Sequence, residues 1–303
     1  MQRVDRGSTL ARMQLPPLVE AWRARGSMVT LPGALRVFTV EAGAKQAERT
    51  ILVLHGFPTS SSDWAPVLPQ LAAEHRVLLF DFPGYGLSDK PSDYGYSLFE
   101  QADVVVQLAR RWGVERAHVV AHDMGTSVAT ELLARRERGL LPFGIDSLVL
   151  TNGSVYADMA QLTPAQKILL SPAGDLFSRV ASERVFRLQM GRILSRPVAD
   201  EELAAMWAQL RYLDGSRRMP AIIEYYRERT RFAARWHGAL RRLDVRTLVL
   251  WAAEDPVAVL AIGERLAREI PGAEKRILEG VGHYPMLEDP DRVARAILEH
   301  VAG

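Results

Sequence analysis

Short apolar runs and helix-periodic segments alternate along most of this chain, and the alternation breaks off once, after Thr151. The Val-, Leu- and Ile-rich runs fall at 36–40, 51–55, 77–81, 118–122, 148–151, 248–251 and 275–278. Segments with helical periodicity, such as 100–112, 124–137 and 262–270, lie between the later ones. Apolar strands separated by amphipathic helices imply an α/β fold whose sheet is mostly parallel, with helices on both faces. Turn signals at Gly33 and Gly43 predict that the sheet opens with an antiparallel ribbon. From 153 to 243 no strand-like run occurs, only helix-like stretches at 201–213 and 222–236 punctuated by Pro164, Pro172, Pro197, Gly215 and Pro220. An insertion of about ninety residues is too long for a loop. The expected organisation is a core built from 1–152 and 244–303, carrying a helical cap at 153–243 over the sheet's carboxyl edge, where open α/β sheets bind ligands.

Composition removes several classes of function. With 303 residues, 48% apolar and 24% charged, the chain has material for a large core plus a lid and does not read as disordered. A formal charge of +2 gives no basic footprint for nucleic acid. The absence of cysteine excludes disulfides, thiolate catalysis and Cys-ligated metals. His75, His118, His122, His237 and His300 have no metal-site spacing, and no His-Glu-x-x-His is present, so neither metal nor cofactor is expected. The stretch 1–26 carries Arg3, Arg6, Arg12, Arg23 and Arg25 without the apolar centre of a secretory leader, which points to a cytoplasmic protein without membrane insertion. The arginine-rich run 211–246 reads as a solvated helical face, with attraction to an anionic surface or substrate as the minority reading. The turn Gly84-Tyr85-Gly86 lacks the third glycine of a dinucleotide fingerprint and the Gly-Lys-Ser/Thr of a P-loop, and reads as a tight strand exit.

Four short motifs at strand ends carry the chemistry. Ala121-His122-Asp123-Met124-Gly125 stands between an apolar run and a helical segment, the position of a nucleophile elbow, here presenting a carboxylate. The bland alternative is that Asp123 only caps the helix. Gly282-His283-Tyr284-Pro285 offers a general base after the 275–278 run. Ala253-Glu254-Asp255-Pro256 offers an acid to orient it, with Glu254 and Asp255 both available. The backbone N–H groups of Phe57, in His55-Gly56-Phe57-Pro58, and of Met124 would form an oxyanion hole. Nucleophile, acid, base is the chain order of an α/β-hydrolase triad.

These motifs resemble the aspartate-nucleophile branch of the α/β-hydrolase superfamily, the epoxide hydrolases and haloalkane dehalogenases. Across nearly the whole chain the likeness is closer to the mesoderm-specific transcript group of that branch. It is carried by His55-Gly56-Phe57-Pro58-Thr59-Ser60-Ser61, Ser97-Leu98-Phe99-Glu100-Gln101-Ala102, Met206-Trp207-Ala208, Arg235-Trp236-His237-Gly238-Ala239-Leu240 and His283-Tyr284-Pro285-Met286-Leu287-Glu288-Asp289-Pro290. The resemblance implies a covalent mechanism in which Asp123 is nucleophile, Asp255 orients His283, and His55, Trp207 and Trp236 line the substrate pocket. Dehalogenases usually hold the halide with a Trp after the nucleophile and a donor side chain in the oxyanion turn. Met124 and Phe57 stand there instead, and neither side chain donates a hydrogen bond. Trp207 or Trp236 would have to substitute. Epoxide hydrolases present lid tyrosines to the opening oxygen; Glu224-Tyr225-Tyr226-Arg227 resembles the segment carrying one, with Tyr226 the better match and Tyr225 beside it. Tyr156 and Tyr212 are candidates for the second.

An aspartate nucleophile disfavours peptide and ordinary ester hydrolysis and favours displacement at saturated carbon followed by hydrolysis of the resulting ester. The expectation is an epoxide hydrolase taking a small to medium apolar epoxide and water. The alternatives are a haloalkane dehalogenase-like hydrolase or a non-catalytic ligand-binding protein.

Overall fold

The computed structural model describes residues 14–303. Of the arginine-bearing stretch 1–26, read above as no secretory leader, residues 1–13 lie outside the described residues. The sheet has eight strands: β1 Gly26–Leu31, β2 Leu35–Ala42, β3 Thr50–Leu54, β4 Arg76–Phe80, β5 Arg116–His122, β6 Gly144–Thr151, β7 Arg246–Ala252 and β8 Glu274–Leu278. Their order is β1-β2-β4-β3-β5-β6-β7-β8. β2 runs antiparallel to both neighbours, and the remaining pairs are parallel.

Strands β3, β4, β5 and β7 are buried on both faces apart from their first residues, which is why they read as continuous apolar runs. β1 alternates exposed and buried positions, so the sequence showed no apolar run there. The antiparallel ribbon turns at Pro32–Ala34, where Gly33 takes φ 79°. Gly43, in contrast, joins no hairpin, because β4 lies between β2 and β3. Its role is close approach, since a Cβ there would lie 2.0 Å from the His75 carbonyl oxygen.

Register brings the strand ends together. β3 and β5 pair with Leu54 opposite Ala121, and β5 and β6 with His122 opposite Thr151. β7 and β8 pair with Ala252 opposite Leu278. The motifs at 55–58, 121–125, 253–256 and 282–285 therefore emerge at one edge of the sheet.

Between β6 and β7 every helix or strand is a helix, from Pro164–Leu169 to Ala233–Arg241. No helix of the described residues is long and apolar enough to cross a membrane. The inserted segment is tied to the core through Glu131, a carboxylate 1% exposed on the helix Met124–Glu137. It accepts from Arg235 Nε at 2.7 Å and Nη2 at 2.9 Å, from Trp236 Nε1 at 2.9 Å and from Arg135 Nε at 2.9 Å. Arg229 is buried with Nε donating to Ser127 Oγ at 2.8 Å, and Arg241 and Arg242 reach Glu269 and Glu137 of the core. Part of the arginine run therefore ties the segment to the core, through Arg229, Arg235, Arg241 and Arg242, while Arg211, Arg217, Arg227 and Arg231 stay exposed as the solvated face that the sequence suggests.

Removing one partner of a buried ion network leaves the others charged and unpaired, at a cost of about 3–5 kcal/mol. Glu131→Gln is expected to lower unfolding stability by about that much in urea titration, whereas Glu137→Gln, at an exposed pair, leaves the midpoint unchanged.

Candidate active site

Asp123 sits at the sharp turn from β5 into the helix Met124–Glu137, with φ 46° and ψ −114°. A non-glycine residue held there costs on the order of 1–3 kcal/mol and persists only when its surroundings over-determine it. They do so here. The Asp123 N–H donates to the Thr151 carbonyl, and its own carbonyl accepts from the N–H and Oγ1 of Thr126. Gly125 is required because a Cβ would lie 2.5 Å from the Leu54 carbonyl oxygen, and Gly56 because a Cβ would lie 2.6 Å from the Asp123 Cβ. The Asp123 side chain makes no capping bond to its helix, which removes the bland reading. Instead the Phe57 N–H donates to Asp123 Oδ2 at 2.7 Å.

His283 Nδ1–H donates to Asp255 Oδ2 at 2.7 Å. The same oxygen accepts from Asn152 Nδ2 at 2.8 Å, and Oδ1 accepts from the N–H groups of Val257 at 2.7 Å and Ala258 at 3.0 Å. Burial works against the Asp255 charge, but the His283 ring and these donors outweigh it and hold the carboxyl below its ordinary value. Glu254 is exposed, so Asp255 is the carboxylate of the two that meets the His283 ring. For His283, burial disfavours the imidazolium, yet Asp255 and then Asp123 reverse that and raise it to about 9. His122 goes the other way, to about 4, through burial and the neighbouring His283 charge. Its Nε2–H donates to the His283 carbonyl at 2.8 Å.

Two groups in this arrangement were given no role by the sequence reading, although Glu288 lies within the 283–290 motif. Asn152, at φ 43°, follows the last residue of β6, and its place at the sheet's carboxyl edge was the available signal. Buried Glu288 accepts from the N–H groups of Gly282, Tyr284, Ser195 and Arg196, joining the base loop to the inserted segment.

The lid residues are redistributed. The Tyr225 ring packs on Phe57 at 5.8 Å between centroids, with the Arg229 guanidinium carbon 4.5 Å from the Tyr225 ring centroid. Burial, and then the Asp123 charge, raise the Tyr225 phenol above its ordinary value and keep it protonated. Tyr226, the better sequence match, points away: its hydroxyl donates to the Ala157 carbonyl at 2.8 Å. Adjacent helical residues project about 100° apart, so only one of the pair can face the site. Tyr156 donates to Glu269 and Tyr212 lies beside Lys90, so neither is the second phenol. Tyr85, from the turn after β4, is 1% exposed against Phe57, and its hydroxyl has no hydrogen-bond partner among the described residues.

Of the expected pocket residues, Trp207 lines a predominantly apolar cavity that reaches Phe57 and His283. Trp236 does not, since its N–H is committed to Glu131. His55 does not either: Nδ1–H donates to the Gly56 carbonyl, and Nε2 accepts from the Phe82 N–H, so the ring holds the β3 exit against the β4 exit.

A donor turn after β3, a strained acidic elbow after β5 and an Asp–His pair after β7 and β8, in that chain order, define a hydrolase of the α/β-hydrolase superfamily. The chain belongs to that family, whose sequence profile, described as alpha/beta hydrolase fold, matches residues 49–290. It is 42% identical, over 93% of its length and 97% of the relative's, to a Mycobacterium tuberculosis protein named as a hydrolase, LipZ. It is 35% identical to the mesoderm-specific transcript homolog protein of Homo sapiens, over 91% of this chain and 86% of that one. Among solved structures it is similar to the haloalkane dehalogenase DbeA from Bradyrhizobium elkani, with TM-score 0.77, 25% identity, and 92% of this chain and 98% of that one covered.

The geometry sets the titration of His283. Its raised value means that the pairing contributes stability below the ordinary imidazole value of 6.5 and loses it as pH rises through about 9. Asp255→Asn removes the negative partner, so the His283 midpoint observed by NMR should fall well below about 9, while Glu254→Gln should leave it in place.

Proposed function

We propose that the protein is an epoxide hydrolase using Asp123 as nucleophile, with the inserted segment 153–243 acting as a cap over the site. The observation that carries this reading is the 2.7 Å bond from the Phe57 N–H to Asp123 Oδ2. It leaves the other carboxylate oxygen for attack and holds Oδ2 where it becomes the carbonyl oxygen of an ester and then the oxyanion of its hydrolysis. Attack of Asp123 on a ring carbon breaks the C–O bond, and the electron pair passes to the departing oxygen. Tyr225, assisted by Tyr85, supplies the proton. Esterification removes the Asp123 charge, one of the influences raising His283, so the imidazole releases its proton at the stage that needs a base. That proton restores the phenol. Neutral His283 then deprotonates water, which attacks the ester carbonyl beside the Phe57 and Met124 N–H groups and frees a diol.

Epoxide opening is favoured over halide release because the groups near Asp123 include two phenols, whereas Met124 and Phe57 offer no side-chain donor. Dehalogenation is the second reading. It draws on Trp207 in the cavity wall and on the fold shared with a dehalogenase. A purely ligand-binding role would not require the strained elbow or the ionised buried Asp255.

Single turnover in ¹⁸O-water should place the label in Asp123 and not in the diol, and Asp123→Asn should abolish turnover without unfolding. Label appearing directly in product would mean general-base attack by water and would overturn the covalent route.

Tyr225→Phe should slow opening of a terminal epoxide by about 10²–10⁴, less if Tyr85 shares the proton. Tyr226→Phe should leave it unchanged. Bromide release faster than diol formation on chains of similar size, or indifference to Tyr225→Phe and Tyr85→Phe together, would favour the dehalogenase.

A further inference from the structure

Large apolar side chains are exposed at eight described positions, and five of them, Ile168, Leu176, Val180, Val185 and Leu188, lie within 168–188. Leu176 is 66% exposed, Val180 67% and Leu188 57%. Single exposed aliphatics are ordinary, but such a concentration marks an interaction surface. The same segment forms much of the cavity wall: each of these residues either lines the cavity, as Val185 does, or is the chain neighbour of a lining residue. The wall is therefore apolar on its inner and outer sides.

Cations are interleaved with these aliphatics. Lys167, Arg179, Arg184 and Arg192 are exposed and form no ion pair among the described residues, whereas Arg187 is paired with Glu183 and Asp200. Asp175 is the exposed acid of the stretch without an ion-pair partner among the described residues. Aliphatic side chains beside unpaired cations suit a surface that buries hydrocarbon shallowly and presents anionic head groups.

We propose that the outer wall of the segment 164–193 adsorbs to an anionic lipid surface, placing the apolar cavity against the lipid phase. A second copy fits less well, because a two-fold contact would set these cations against their own counterparts. An acidic protein fits less well, because the exposed patch has none of the aromatic or methionine side chains that protein interfaces favour. The surface stands independently of the reaction assigned to Asp123.

The test is co-sedimentation of the full chain with vesicles of phosphatidylcholine alone or with phosphatidylglycerol added. Binding should require phosphatidylglycerol and weaken as salt is raised. Arg184→Glu should weaken it about tenfold or more. The double variant L176D/L188D should lose it while keeping the wild-type thermal unfolding curve. Failure to bind phosphatidylglycerol vesicles, or binding indifferent to these substitutions, overturns the proposal. So does a wild-type dimer in sedimentation equilibrium that L176D/L188D abolishes, which assigns the surface to a second copy. Binding to polyglutamate as tight as to vesicles and unaffected by L176D/L188D overturns it in favour of an acidic protein.

Discussion

The close approach of the β3 exit to the β5 exit is the contact on which the rest of the site depends. Asp123 holds a costly backbone conformation because Gly125 can approach the Leu54 and His55 carbonyls and Gly56 leaves room for the Asp123 Cβ. That packing aims the Phe57 N–H at the carboxylate. It exists only because β3 and β5 are parallel neighbours in the register that sets Leu54 opposite Ala121. A one-residue slip would turn both exits to the wrong face.

Around this contact the charges are arranged so that burial is offset selectively. Asp255 stays ionised because each of its oxygens is met by donors, and His283 is held cationic by the carboxylates on either side. His122, buried beside that cation, is driven neutral and serves as a donor to the base loop. Three imidazoles in one small region thus hold different roles, with His55 spent on two backbone groups.

The inserted helical segment is coupled to this site by polar ties more than by chain connection. The His283 N–H donates to the Ile193 carbonyl, and Glu288 gathers N–H groups from both the base loop and residues 195–196. At the other end, Glu131 fastens Arg235 and Trp236 to the helix that begins at the elbow. Displacement of the segment would therefore disturb the base loop and the elbow helix together. The helices of 164–193 precede the first of these ties, and there the cavity wall is apolar on both sides.

The fold class, the strand-free insertion and the positions of Asp123, His283 and Asp255 were legible in the sequence because each rests on local pattern: periodicity, small residues at a turn, and motifs at the ends of apolar runs. The choice of Asp255 over Glu254 was legible only through the family resemblance, since from the residues alone two adjacent carboxylates differ in nothing but which one the turn buries. Tyr225, Tyr85 and Asn152 needed the tertiary structure. A helix carrying adjacent tyrosines shows no preference until packing fixes its rotation, and a tyrosine in a glycine turn is unremarkable until the neighbouring strand exit brings it to Phe57. Trp236 and His55 were misplaced for the same reason. Sequence shows that a side chain can donate or accept a hydrogen bond, but only the fold decides which partner lies within 3 Å.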